Sequence, residues 1–388
     1  MSIKVIYVIN SIVNKPGNIG FRIGKIIEAS PEENNAELYA RDGKVENKYV
    51  LCHTMGPFGH IARALNALKI YLFPNVKIRV IDIKIFEIFF FFSYLLNKKK
   101  WNKFDNKIAH VVETSPFIIR LLKNNGFKII QDVPIAPISY LDTFDLREAV
   151  LKDIYNQYYD RKLDSLERES YRLADIINVP SSYVKKQLEY SGVPNYKIRL
   201  IEFGADEVET RCSISRKGPD EGIDFVFAGQ VSARKGIEYL LRAWDCPDFA
   251  GDRLHLCGRL RPEISESIKS KKFKNIVTPG FVNTYEYLPR CDVYVFPSIW
   301  EGSSKSIYEG MASGLPVITT DESGSIIKDN LNGFIIPKCN HIELRKKMLW
   351  FKNNFSKIEE MGLVSLKEVK KYTWPRYVSR CLELYKQV

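Results

Sequence analysis

The chain has 388 residues, 45% of them hydrophobic and 27% charged, enough for two or three domains with real cores. Its formal net charge of +12 favours anionic partners such as phosphorylated ligands or anionic lipid, but no nucleic-acid-binding module and no basic tail accompany it, which argues against a nucleic acid partner. Seven scattered cysteines without a C-x-x-C pair read as reduced thiols of a cytosolic protein rather than a disulfide framework or a zinc site, and the start, M-S-I-K-V-I-Y-V-I-N, lacks a signal-peptide layout.

Residues 4–9 read as the first strand of an α/β domain. A polar loop follows, ending in Gly17-Asn18-Ile19-Gly20, and then a helix to Glu28. A glycine loop before a helix suits close approach of a phosphate or an acceptor, and equally a plain turn. Residues 49–53 and 76–82 read as further strands, the first followed by Thr54-Met55-Gly56-Pro57-Phe58-Gly59-His60. Alternating strands and helices predict a parallel, doubly wound sheet that binds ligands at the carboxyl ends of its strands. His53 and His60 lie near such ends; a core or surface position is the other fate open to each.

Residues 85–96, I-F-E-I-F-F-F-F-S-Y-L-L, run into Asn97 and Lys98-Lys99-Lys100-Trp101. The apolar run is too short to span a bilayer. It suits a buried core helix, or an element lying in a membrane surface with the lysines on anionic headgroups and Trp101 at the interface. Residues 108–113 predict a strand containing His110, and Ser115-Pro116 opens a helix. A strand at 129–132 leads into the loop Val133-Pro134-Ile135-Ala136-Pro137. One long helix is predicted over 146–174, a strand over 175–180, a serine-capped helix in S-S-Y-V-K-K-Q-L, and a strand over 198–201 before Phe203-Gly204-Ala205-Asp206. The polar stretch 207–221, with Gly218-Pro219, predicts an interdomain linker.

A second set of elements begins with a strand at 224–228, the loop G-Q-V-S-A-R-K-G and a helix at 237–244. Strands at 254–257 and 276–281 follow. The most informative stretch is V-Y-V-F-P-S-I-W-E-G-S-S-K-S-I-Y-E-G-M-A-S-G-L-P, residues 293–316. A strand at 293–296 is ended by Pro297, a helix starts near Ser303, Gly314 and Pro316 stop it, and the next strand runs over 317–319. Glu301 falls in the strand-to-helix loop and Glu309 inside the helix. The free amides of the helix start, those of Ser304, Lys305 and Ser306, suit a phosphate. Carboxylates beside a phosphate suit sugar hydroxyls, as in dinucleotide folds. Two of them flanking one phosphate site point to a nucleotide sugar; the alternative is two solvated glutamates on an ordinary strand–helix unit.

Glu301 and Glu309 have the Glu-x7-Glu spacing of the retaining glycosyltransferases of family 4, and the surrounding words F-P-S-x-x-E-G and E-G-M-A-S-G-L-P-V-I are similar to that family. The resemblance covers nearly the whole chain and is strongest from Ala174 onward. It implies a GT-B fold: an N-terminal Rossmann-like acceptor domain over 1–206, a donor domain over 207–373, a cleft between them, and a closing helix, 374–388, crossing back to the first domain. Two helices are expected to close the chain. In the family, cations in the loop after the first donor-domain strand grip the diphosphate. Lys235 matches the lysine, Gln230 stands where many members have arginine, and Arg234 is positioned to replace that charge.

The resemblance further implies roles for Gly229 and Gly302 at the donor, and for Phe281 and Val282 around the base. Gly20, His60 and His110 fall on the acceptor side. The loop 133–137 carries no histidine where related transferases often have one. Glu309 is expected to take ribose hydroxyls and Glu301 to orient the donor sugar, with no protein nucleophile. No Asp-x-Asp motif occurs, and neither metal nor cofactor is expected. The implied partners are a nucleotide-sugar donor, a glycan or lipid-linked acceptor, and an anionic membrane surface through 85–103, at the cytoplasmic face of the plasma membrane in cell-surface polysaccharide biosynthesis. A phosphorylase or epimerase on the same fold, and a degenerate homologue that binds nucleotide sugar or membrane without turnover, remain the alternatives.

Overall fold

The computed structural model describes residues 3–14, 19–30, 35–56, 59, 78–112, 114–206, 221–271, 273 and 275–388. They form two parallel sheets. The first contains β1 (Ile3–Ile12), β2 (Ala36–Asp42), β3 (Val50–Thr54), β4 (Asn106–Val111), β5 (Lys128–Asp132), β6 (Ile176–Val179) and β7 (Ile198–Leu200), in the order β3-β2-β1-β4-β5-β6-β7. The second contains β8 (Asp224–Ala228), β9 (Arg253–Cys257), β10 (Ile276–Gly280), β11 (Val293–Phe296), β12 (Val317–Thr320) and β13 (Gly333–Ile336), in the order β10-β9-β8-β11-β12-β13. β8, β11 and β12 are buried along their whole length, as strands covered on both faces must be, and they are apolar but for Asp224, Thr319 and Thr320.

Strand order reverses between β1 and β4 and again between β8 and β11. At such a switch point the loops leaving the two strands diverge to opposite faces and open a crevice at the carboxyl ends. The loops after β8 and β11 carry Arg234, Lys235 and Glu301, so topology alone brings together side chains some 66 positions apart in sequence.

Each face of the first sheet has its own core. One includes Ile6, Val8, Phe86, Phe90 and Trp101, and it also takes in Tyr239, Ile299 and Trp300 from the second sheet's loops. The other includes Val5, Tyr7, Ile9 and Ile23 together with Trp374, Tyr377, Cys381 and Tyr385. The closing helix Trp374–Lys386 therefore lies on the first sheet. The chain crosses between the sheets twice at one place. Ala205 N donates to Tyr372 O at 2.8 Å, and Ala205 bridges Thr373. Gly204 permits this, because a Cβ there would come within 2.6 Å of the Trp374 backbone.

Four expectations need correction. Residues 78–82 are not a strand but the start of a helix, Ile78–Trp101. Val80, Ile83, Phe86, Phe90, Asn97 and Trp101 are among its buried positions and recur at helical spacing, so packing has overridden the β-branched and aromatic composition. Residues 146–174 form two helices, Ala149–Tyr158 and Arg161–Leu173; Asp160 breaks the run by accepting from Lys162 N and Leu163 N as a cap. β2 was not expected at all. Three helices rather than two close the chain, His341–Asn353, Ser356–Val369 and Trp374–Lys386.

Trp101 is not an interfacial side chain: it is fully buried, and its Nε1 lies 3.2 Å from Glu37 Oε2. Lys4 Nζ sits 2.5 Å from the other Glu37 oxygen. Burial works against the Glu37 charge, but the His53 ring 3.7 Å away and hydrogen bonds from Lys4 and Tyr39 outweigh it and bring its pKa down to about 2. His53 is thus part of a buried network. The opposite face of the Trp101 helix behaves differently. Ile88, Phe91, Phe92, Leu95 and Leu96 are exposed, Leu96 to 80%, and Phe117 lies beside Phe91. The stripe begins at Lys84 and ends at Lys98–Lys100. Among the described residues no helix is long and apolar enough to cross a membrane. All but the last residue of the predicted linker 207–221, together with His60 and with Gly17 and Asn18 of the glycine loop, lie outside the described residues.

Candidate active site

The loop after β8 is shaped by two glycines. Gly229 (φ +145°) donates its N–H to Cys257 O at 2.9 Å. Gly236 (φ +74°) ends a single turn, Ala233–Lys235, and a Cβ there would meet Pro297 O at 1.9 Å. Only glycine meets both demands, a positive φ and close contact with the neighbouring loop. The two loops are then tied together: Ile299 N donates to Arg234 O at 3.0 Å, and Arg234 Nη1 donates to Trp300 O at 2.7 Å.

These ties place both cations on one carboxylate. Arg234 Nη1 lies 2.6 Å from Glu301 Oε1, and Lys235 Nζ pairs with the same oxygen. The three side chains are only 11–16% exposed. Lys235 also sits over the Phe296 ring, 4.7 Å from its centroid. Burial lowers the Lys235 pKa to about 8, with the Arg234 charge adding to it and Glu301 opposing. Burial raises that of Glu301, but the Arg234 and Lys235 charges outweigh it and hold the carboxyl below its ordinary value. The cluster carries one positive charge in excess in a poorly hydrated place. It is suited to an anion, but its cations already hold Glu301.

The helix Lys305–Ala312 starts beside this cluster. The amide of Ser304 does not serve as an anion donor, contrary to expectation, because it donates to Ser323 O at 3.2 Å. The first-turn amides of Lys305 and Ser306 have no intrahelical acceptor by helix geometry and keep that role open. Ser304 Oγ and Ser306 Oγ are 3.0 Å apart at the same end. Glu309 lies one turn on, 3.5 Å from Lys305 Nζ; burial raises its pKa and Lys305 opposes that.

Gly302 is a contact between the sheets. A Cβ there would come within 1.8 Å of Pro134 O. Its carbonyl accepts from Ser181 Oγ at 2.5 Å, and Glu301 O accepts from Ala136 N at 3.2 Å. The histidine-free loop after β5 is therefore packed directly on the Glu301 turn.

Phe281 follows β10 and is 85% exposed, while Val282 is half-buried against the second core. Gly20 begins the helix Gly20–Glu28, packed so closely on β1 that a Cβ would reach 2.1 Å from Ile12 O. Its neighbour Phe21 faces the donor-side helix, 5.2 Å from Lys305 Nζ. His110 needs correction as an acceptor residue. It is fully buried under the closing helix, its Nδ1 lies 2.6 Å from Tyr385 Oη, and burial lowers its pKa to about 4. No solute reaches it there. Asp206 escaped the sequence reading as a site residue, yet its carboxylate meets Lys305, Tyr285 and Trp374. Its only signal was its place just before a polar linker.

Comparison with known proteins bears on the fold that carries these residues. Residues 222–354 match the family model described as glycosyl transferases group 1. An uncharacterized glycosyltransferase of Methanocaldococcus jannaschii is 28% identical over 220 residues, 55% of this chain and 60% of that protein. A putative colanic acid biosynthesis glycosyltransferase of Salmonella typhimurium, WcaL, is 23% identical over 218 residues, 51% of this chain and 52% of that one. The matches thus span less than two thirds of these relatives. Among solved structures, a sucrose-phosphate synthase from Thermosynechococcus elongatus superposes with a TM-score of 0.70 at 16% identity, covering 99% of this chain and 98% of that one. HepE of Anabaena in complex with UDP superposes at 0.65 with 14% identity over the whole of both chains. WaaG, a glycosyltransferase involved in lipopolysaccharide biosynthesis, gives 0.66 at 12% identity, covering 98% of this chain and 99% of that one. With two facing parallel sheets of seven and six strands and these neighbours, the chain has the GT-B fold.

Proposed function

We propose that the protein is a retaining glycosyltransferase of the family 4 type, moving a sugar from a nucleoside-diphosphate sugar to a glycan or lipid-linked acceptor in cell-surface polysaccharide assembly. The observation that carries it is the buried Glu301–Arg234–Lys235 cluster at the β8/β11 switch point, next to a helix start followed by Glu309. The group 1 family match over the same sheet supports it, as does a UDP complex on the same fold.

In this mechanism the donor diphosphate takes Arg234, Lys235 and the Lys305 and Ser306 amides, and Glu301 is released to accept hydroxyls of the donor sugar. Glu309 accepts from the ribose. The bond from the anomeric carbon to the diphosphate oxygen breaks with its electron pair moving to that oxygen, where the two cations stabilise the charge. The acceptor hydroxyl attacks from the face the diphosphate leaves and passes its proton to the leaving phosphate. Retention follows without a protein nucleophile.

Two acceptor-side observations bear on the proposal. The exposed stripe from Ile88 to Leu96, bordered by lysines, suits an anionic membrane surface at which a lipid-linked acceptor is presented. We expect co-sedimentation with phosphatidylcholine vesicles containing phosphatidylglycerol, lost in Phe92→Asp/Leu96→Asp; equal binding of both proteins contradicts it. The loop 133–137, without histidine and packed on Glu301, instead favours a second function, a nucleotide-sugar binder without turnover. Titration with UDP, GDP and ADP tests the site itself. One nucleotide should bind, and more weakly to Lys235→Ala and Glu309→Gln; no binding to the wild type refutes the donor site.

A further inference from the structure

The joint between the sheets and the donor-side helix meet at one side chain. Asp206 is the last described residue of the outgoing crossing, which is held to the returning crossing through Ala205 and Tyr372. Its Oδ1 accepts from Trp374 Nε1 at 2.7 Å, on the helix that returns to the first sheet. Its Oδ2 accepts from Tyr285 Oη at 2.8 Å and lies 3.0 Å from Lys305 Nζ, both in the second sheet's domain. The same ammonium is 3.5 Å from Glu309 Oε1 and faces the Phe21 ring of the first domain. Lys305 is thus shared between a carboxylate fixed to the joint and the carboxylate assigned to the ribose.

We infer that Asp206 is a positioning residue of the nucleotide site, acting through Lys305: it holds the ammonium beside Glu309 and indexes the start of the Lys305–Ala312 helix to the joint between the two domains. A lysine side chain has many rotamers open to it, so an unanchored Lys305 would spend most of its time away from Glu309. Without it Glu309 is a buried carboxylate that loses the cation opposing its burial, poorly poised to accept ribose hydroxyls while ionised. Trp374 and the Ala205–Tyr372 bond are built into the joint itself, so the Lys305 contact is the part of this arrangement that reaches the ligand. The inference rests on the donor site proposed above.

Calorimetric titration with UDP, GDP and ADP tests it. Asp206→Asn keeps an oxygen for Trp374 and removes the charge facing Lys305; we expect about tenfold weaker binding of the nucleotide the wild type prefers. Lys305→Met should weaken binding similarly, and the double variant should bind no more weakly than Lys305→Met alone, since the effect runs through that side chain. Trp374→Phe, which removes only the donor to Oδ1, should change affinity less than threefold. Unchanged binding by Asp206→Asn, or additive losses in the double variant, overturn the inference. If Asp206→Asn does not fold, Asp206→Glu is read against Lys305→Met by the same two criteria. Failure of the wild type to bind any of the three nucleotides instead removes the donor site, and this inference with it.

Discussion

Replacing Glu301 with glutamine should tighten the binding of free nucleotide while abolishing turnover. Glu301 occupies both cations in the unliganded protein, Arg234 Nη1 at 2.6 Å and Lys235 on the same oxygen. A diphosphate must displace those contacts before it binds. Hydrogen bonds to charged partners are worth roughly 1.5–3 kcal/mol each, and a neutral amide accepts at about half that strength. Relieving two such contacts therefore favours the nucleotide by roughly 1.5–3 kcal/mol, about ten- to a hundredfold in Kd. Free nucleoside diphosphate is the right ligand, because it lacks the sugar whose contacts Glu301 would otherwise supply. Lys235 already titrates near 8, and losing the Glu301 charge lowers it further. The gain should therefore be largest near pH 6.5, where Lys235 stays protonated, and shrink toward pH 8. Calorimetry at the two pH values measures it, and hydrolysis of the nucleotide sugar should fall by about a hundredfold or more. If Glu301→Gln folds but binds nucleotide more weakly at pH 6.5, Glu301 is an anchor for the cations and not their resident competitor.

Wild-type affinity for nucleotide should decline as pH rises through about 8, where Lys235 loses its proton, and the decline should vanish in Lys235→Ala; titrations from pH 6.5 to 9 measure both. Gly302→Ala puts a Cβ 1.8 Å from Pro134 O, so the two domains must separate locally. We expect a lower melting temperature together with lost turnover, read by calorimetry and nucleotide release. Glu37 is depressed from 4.5 to about 2, so the stability it contributes is complete above its ordinary pKa and is lost as pH falls from about 4.5 toward 2. Glu37→Gln leaves Lys4 buried beside a neutral group and should cost on the order of 3 kcal/mol at pH 7 in denaturant unfolding, with a flatter acid profile.

What could be read from sequence follows from how local each signal is. β8, β11 and the helix Ile237–Trp244 have the bounds expected, because short apolar runs cut by glycine and proline leave little choice of register. The segment before Trp101 was ambiguous for a physical reason. Its isoleucines and phenylalanines suit a strand or a buried helix alike, and the structure gives it one buried face and one exposed apolar face, so neither of the two expectations describes the whole helix. β2 was hidden by Glu37, Arg41 and Asp42, polar residues whose partners, Lys4, Trp101 and Asn10 among them, are distant in sequence. Arg234, Lys235 and Glu301 could be singled out from sequence as candidates, but not their contact with one another, which depends on the switch point bringing two loops together. His110 and Asp206 mark the limit in opposite directions. A histidine on a strand looked available and is sealed beneath the closing helix, while an aspartate at a linker's edge looked ordinary and ties the closing helix to the Lys305 helix and to Tyr285.

The most direct test of the account is nucleotide release from a panel of UDP-, GDP- and ADP-sugars by wild type, Glu309→Gln and Lys235→Ala. Slow hydrolysis of one donor by the wild type, lost in both variants, is the result expected of a transferase working at this site. Hydrolysis that survives in Lys235→Ala would contradict the assigned chemistry, and a donor that binds without being turned over, even with lipid-linked and glycan acceptors supplied, would make the protein a binder and not an enzyme.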